Sequence, residues 1–189
     1  MNILVFGKDG QLGRAFQKQL EHPSFQDNNK IRFVGRNECD LSDPNQITQL
    51  LESFKPQLIV NAAAYTAVDG AESDRDLAFA INSTAPQLMA KYVSQSNATL
   101  LHFSTDYVFD GTKQGTYAEN DKVNPLSVYG WSKEAGERAI ITTFANSSMG
   151  RYAVLRTSWV YGDGNNFIRT ILRLAKERSA LRVIADQHG

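Results

Sequence analysis

The chain has 189 residues, 42% of them hydrophobic, enough for one domain with a real core and at most a fragment of a second. Its 20 Lys and Arg balance its 20 Asp and Glu, so nothing in the charge points to nucleic acid or an anionic membrane as a partner. The single cysteine, Cys39, excludes an internal disulfide framework, and the opening apolar run is too short for a signal peptide or membrane span; both point to a soluble cytoplasmic protein.

Ile3-Leu4-Val5-Phe6 is a continuous apolar run ended by Gly7, the pattern of a buried parallel strand. Residues 11–20 set Leu12, Phe16 and Leu20 at helical spacing, and residues 30–35 form a second strand. Ser42-Asp43-Pro44 starts a helix, with Ser42 or Asp43 as its cap; Ile47, Leu50, Leu51 and Phe54 form its apolar face and Lys55-Pro56 stops it. Leu58-Ile59-Val60 is a third strand, ending at Asn61. Alanine-rich residues 71–80 and 83–96 are predicted helices, and residues 99–103 a fourth strand. A Gly-, Asp- and Asn-rich loop over 110–124 leads to a helix over 127–143. Residues 152–156 form a fifth strand, 166–176 a helix and 181–184 a sixth strand.

This alternation predicts an α/β fold: a Rossmann-type doubly wound parallel sheet with helices on both faces. Residues 1–189 would be one dinucleotide-binding domain, truncated before most of a substrate lobe, because the chain ends just after a strand without a closing helix. In such sheets ligands bind beyond the carboxyl ends of the strands. The polar clusters here all follow strands: the glycine loop over 7–13, Arg36, Asn61, residues 104–107 and residues 157–161. They should share one rim.

Gly7, Gly10 and Gly13 form G-x-x-G-x-x-G between a strand and a helix. Glycines allow positive φ and close approach of a pyrophosphate, and the helix N-terminus offers free N–H groups. No Lys-Ser/Thr follows, so this is not a Walker loop. Arg36 stands where NAD-binding sheets usually carry an acidic residue, and it suits the 2′-phosphate of NADPH. Glu38 or Asp40 can meet a ribose hydroxyl, which keeps NADH open, and Asp40-Leu41 should flank the adenine. Cys39 reads as a packed thiol.

Tyr129 and Lys133 lie four residues apart, on one face of a helix, and Ser104-Thr105 ends an apolar strand. An ammonium one turn away should lower the phenol's ordinary pKa of about 10 and can also hold ribose hydroxyls. Thr105 can fix a substrate oxygen against Tyr129, which would donate the proton accompanying a hydride. Asn82 reads equally as a water- or backbone-positioning residue or a helix cap, and His102 as core. His22 and His188 lack ligand-spaced partners, so no metal site is read. Trp159 is either a core aromatic or a ligand contact.

The stretches Met1–Lys8, Val60–Asp69, Ser104–Phe109, Val128-Tyr129-Gly130, Arg156–Tyr161, Gly164-Asn165-Asn166-Phe167 and Asp186-Gln187-His188-Gly189 together resemble the extended short-chain dehydrogenase/reductases, and within them the dTDP-4-dehydrorhamnose reductase family. The resemblance implies reduction of the 4-keto group of dTDP-4-dehydro-L-rhamnose to dTDP-L-rhamnose by NADPH or NADH, a step toward lipopolysaccharide. It places the catalytic set on Thr105, Tyr129 and Lys133, and cofactor contacts on Gly7, Gln11, Leu12, Asp40, Leu41, Ala62, Ala63 and Ala64. It places sugar-nucleotide contacts on Thr66, Val68, Tyr107 and Trp159, beside Ser104 and Thr105. It also implies a possible homodimer, with magnesium used by some longer relatives through acidic residues beyond this chain. Two other readings stand: a sugar-nucleotide epimerase or dehydratase, and a non-catalytic regulator resembling the regulatory subunit of methionine adenosyltransferase. Dehydratases of the superfamily usually carry Asp-Glu after the threonine; here Asp106-Tyr107 follows.

Overall fold

A computed structural model describes residues 1–183, apart from residues 27, 146, 164 and 165. Its centre is a five-stranded, wholly parallel sheet in the order β2-β1-β3-β4-β5. The strands are β1 (Asn2–Phe6), β2 (Lys30–Val34), β3 (Leu58–Asn61), β4 (Thr99–Thr105) and β5 (Arg151–Thr157). The helices are α1 (Gln11–Leu20), α2 (Pro23–Gln26), α3 (Pro44–Phe54), α4 (Val68–Ser73), α5 (Arg75–Phe79), α6 (Ala85–Ser94), α7 (Val128–Phe144) and α8 (Phe167–Glu177).

Strand β1 shows why both faces are covered. Alternate side chains of a strand point to opposite faces. Leu4 and Phe6 enter the larger core with Ile47, Leu51, Met89 and Ile140 of α3, α6 and α7. Ile3 and Val5 meet Phe16 and Leu20 of α1 on the other side. The expected α/β sheet with helices on both faces is therefore present. Asp43, not Ser42, caps α3, its side chain accepting from the Asn45 amide at 2.9 Å. Lys55 ends that helix in the left-handed region, at φ 50°.

Two expectations are corrected. The predicted helices over 71–80 and 83–96 are instead α4, α5 and α6, with a π-helical turn at Ala80–Thr84. Pro86 has no N–H to return to the Asn82 carbonyl, so the regular ladder is broken there, and the Ala85 amide reaches back to the Ala80 carbonyl. The Asn82 carbonyl lies against Gly136 of α7, where a Cβ would sit 2.1 Å from it. Only glycine lets the helices meet that closely. The predicted sixth strand does not form over residues 181–183; Ile184 lies outside the described residues. A strand exists by its ladder, and this short run, interrupted by Arg182, is solvent-facing, with Val183 exposed.

Candidate active site

The carboxyl ends of the strands surround a cleft of about 1180 Å³. Its first wall is the glycine turn. Gly7, at φ +85°, takes a conformation that L side chains avoid, and a Cβ there would lie 2.7 Å from the Ala62 backbone. The Gly7 and Lys8 amides both donate to the Val34 carbonyl, at 3.0 and 3.2 Å, which ties the turn to β2. Gly10 opens α1 with no side-chain cap, so the first-turn amides keep their capacity for an anion. Gly13 itself does not line the cleft. A Cβ at Gly13 would stand 2.0 Å from the Gly7 carbonyl oxygen, so its role is to let α1 pack on the turn.

Gly7, Gly10, Gln11, Leu12, Arg36, Asp40, Leu41 and Ala62, Ala63 and Ala64 all line the cleft. The Asp40 carboxylate accepts from both the amide and the hydroxyl of Ser42, which hold it below the ordinary carboxylate range. Glu38 is engaged by the Lys8 ammonium and the Gly35 amide. Cys39 is buried, its thiol pushed up to about 11 by desolvation, as a packed thiol should be. Beneath the 62–64 segment, the Asn61 side chain accepts from the Ala63 amide at 3.2 Å and donates to Nδ1 of His102 at 3.0 Å. His102 therefore carries its proton on Nε2, and burial keeps its pKa well below 6.5.

Thr105, Tyr129 and Lys133 share the same cleft. Thr105 ends β4, accepts from the Tyr107 amide at 3.2 Å and donates to Asp106 at 3.0 Å. Tyr129 and Lys133 stand one turn apart near the start of α7, which Ser127 caps by accepting from the Gly130 amide at 3.1 Å. The rings of Tyr107 and Tyr129 meet edge to face at 5.5 Å. The electrostatics differ from expectation. Burial raises the Tyr129 phenol above 10.0, the Thr105 hydroxyl pulls it back, and nearby Asp106 and Tyr107 raise it further. Lys133 is fully buried; it donates to the Phe103 carbonyl at 2.7 Å rather than to the phenol, and desolvation draws its pKa down to about 8. A buried ammonium takes the nearest acceptor, and here that is the β4 backbone.

Thr66, Val68, Ser104, Tyr107 and Trp159 also line the cleft. Trp159 is half exposed at 51%, packs edge to face on Phe167, and sits at φ 52°, costly for a bulky residue. Asn82 resolves as a backbone holder: it accepts from the Tyr65 amide at 2.9 Å and donates to the Tyr65 carbonyl at 3.0 Å and to Ser132 at 2.9 Å. Asp9, Tyr65, Asp106 and Ser158 line the cleft without having been assigned a role. Only their position just after strands could have flagged them.

The residues present suit a dinucleotide. The glycine turn has no room for side chains, and two buried polar atoms of cleft residues, Gln11 Oε1 and Ser104 Oγ, have no partner among the described residues. Among the described residues no cluster of three or more His, Cys, Asp or Glu could hold a metal ion, and no helix is long and apolar enough to cross a membrane.

Known proteins share this fold. The dTDP-4-dehydrorhamnose reductase of Aggregatibacter actinomycetemcomitans is 44% identical over 190 residues, which cover 99% of this chain and 61% of that protein. The crystal structure of such a reductase from Clostridium acetobutylicum superposes with a TM-score of 0.89 at 37% identity, covering 99% of this chain and 64% of that one. One from Bacillus anthracis, in complex with NADP, gives 0.87 at 37% identity, covering 98% and 63%. The chain thus spans about three fifths of the length of these relatives. The family described as RmlD substrate binding domain matches residues 1–189, and the chain belongs to it.

Proposed function

We propose that this chain is the cofactor-binding part of an NAD(P)H-dependent reductase that converts the 4-keto group of dTDP-4-dehydro-L-rhamnose to the alcohol of dTDP-L-rhamnose. The observation that carries the proposal is that Thr105, Tyr129 and Lys133 line the same cleft as the glycine turn. The named activity of the relatives supports the choice of substrate, and the NADP-bound relative together with Arg36 supports NADPH.

Gly7, Gly10, Gln11 and Leu12 would hold the pyrophosphate, with Arg36 on a 2′-phosphate, Asp40 and Leu41 at the adenosine, and Ala62 to Ala64 along the far ribose. When bound, the nicotinamide supplies the hydride. Tyr129 gives its phenolic proton to the carbonyl oxygen as that oxygen gains charge. Its raised pKa keeps that proton in place at neutral pH. Thr105 and Ser104 would orient the oxygen, and Lys133 would hold ribose hydroxyls. Thr66, Val68, Tyr107 and Trp159 form the sugar-nucleotide wall. This chemistry belongs in the cytoplasm, where reduced cofactor is kept.

The test uses the longer protein that contains this chain. With dTDP-4-dehydrorhamnose and NADPH, reduced-nicotinamide absorbance should fall steadily. Tyr129→Phe should slow turnover by at least about a hundredfold while NADPH still binds. Unchanged turnover in that variant rejects Tyr129 as the acid. Absence of turnover in the unaltered protein, with nucleotide sugar still bound, favours a regulator instead.

A further inference from the structure

Below the cleft lies a charged pair that the proposed chemistry leaves unused. Glu137 is one turn beyond Lys133 on α7 and only 3% exposed. Arg156 of β5 grips its carboxylate, with Nε at 3.0 and 3.2 Å from the two oxygens and Nη2 at 2.7 Å. The same guanidinium donates to the Glu119 carbonyl at 3.1 Å and lies over the Phe109 ring at 5.0 Å, so it joins β5, α7 and the 106–124 segment. A buried ion pair is a weak source of stability, because desolvation offsets the attraction. The Glu137 carboxylate, however, is four residues from Lys133 on the same helix, and both are buried.

Lys133 is a buried ammonium at the edge of the cleft, donating to one backbone carbonyl. His102 on β4 is neutral, Tyr129 holds its proton, Asp106 is engaged by Thr105, and Glu72 of α4 caps the Val128 amide at the start of α7. Among the described residues, Glu137 is the group whose charge favours the protonated form of Lys133, against the desolvation that draws it down to about 8. Arg156 in turn keeps Glu137 ionised by a two-oxygen grip.

We propose that the Glu137–Arg156 pair is a positioning element that keeps the buried Lys133 protonated and thereby sets the upper pH limit of cofactor binding. The second half rests on the reading of Lys133 as ribose anchor. The sign follows from linkage. Affinity that needs the ammonium is full below the Lys133 midpoint and is lost as pH rises through it. Removing Glu137 leaves the buried Lys133 facing the uncompensated charge of the partly exposed Arg156, so the midpoint falls and the loss begins at lower pH.

The measurement is an NMR titration of the Lys133 side chain in the unliganded chain, alongside NADPH dissociation constants by fluorescence from pH 6 to 9. In Glu137→Gln the midpoint should drop by at least one pH unit, and affinity should match the unaltered chain at pH 6 but be at least about fivefold weaker by pH 8. Glu137→Asp should restore both. The double variant Glu137→Gln with Arg156→Met removes both charges without stranding either, and its midpoint should fall between the two. An unmoved midpoint in a folded variant overturns the coupling. A midpoint that moves while affinity stays flat with pH overturns the ribose-anchor reading and the pH limit built on it. If neither variant folds, the unaltered chain decides: the Glu137 carboxyl carbon must register the Lys133 titration, and a signal flat through that range overturns the proposal.

Discussion

From Ile3 to Phe6 every side chain of β1 is buried, whereas no residue of β5 is. The helices repeat the contrast. In α3 the apolar stripe of Ile47, Leu50, Leu51 and Phe54 is wholly covered, while α8 buries nothing and leaves Phe167, Ile168 and Leu172 in solvent. Both helices carry an amphipathic pattern in the sequence, that of α8 the stronger. The pattern says which face seeks cover; only the neighbours decide whether it is found. The half of the sheet around β1 and β3 is covered on both faces, and the glycine turn is tied to β2 by two backbone hydrogen bonds. Around β5, Val154 packs on the larger core but Tyr152 and Leu155 stay exposed, and of the proposed nucleotide-sugar wall Trp159 stands on that side.

Three measurements test this contrast. The largest effect should come from Gly13→Ala, which drives a methyl group into the Gly7 carbonyl from 2.0 Å and must displace backbone. We expect a loss of more than about 3 kcal/mol in chemical denaturation together with loss of NADPH binding. A protein that kept both would show that α1 has slack against the turn. Next, Leu51→Ala should cost about 3 kcal/mol, since it empties a covered site, while Leu172→Ala should stay within about 0.5 kcal/mol. Equal losses in the two variants would abolish the distinction between the halves. The smallest effect concerns His102. Its folded pKa is depressed below 6.5, so the unfolded chain binds the extra proton on acidification. Stability should fall below pH 6.5 by up to about 1.4 kcal/mol per pH unit, and His102→Gln should remove that slope. An unchanged slope would mean that another group governs acid sensitivity.

Much of the fold was legible because parallel strands buried on both faces are continuous apolar runs, and the capped α3 announces both ends. The cleft was legible for a related reason: polar residues directly after strands share a rim in any doubly wound sheet, and all but Gly13 of the assigned site residues line it. What stayed hidden involves contacts across long separations. The π-helical turn arises from Pro86 and Asn82 together with Gly136, some fifty residues on. The direction of the Lys133 ammonium depends on a β4 carbonyl thirty residues away in sequence. The Glu137–Arg156 grip joins a helix to an edge strand.

The sequence by itself determined the alternation of five parallel strands with helices, the glycine turn and a phenol, an ammonium and a hydroxyl lining one cleft, because these follow from local periodicity and from the backbone freedom of single residues. Tertiary structure alone decided which apolar faces are covered, which carbonyl holds the lysine and which way each pKa moves. Burial and electric field are sums over neighbours brought together by folding, and no window of sequence contains them.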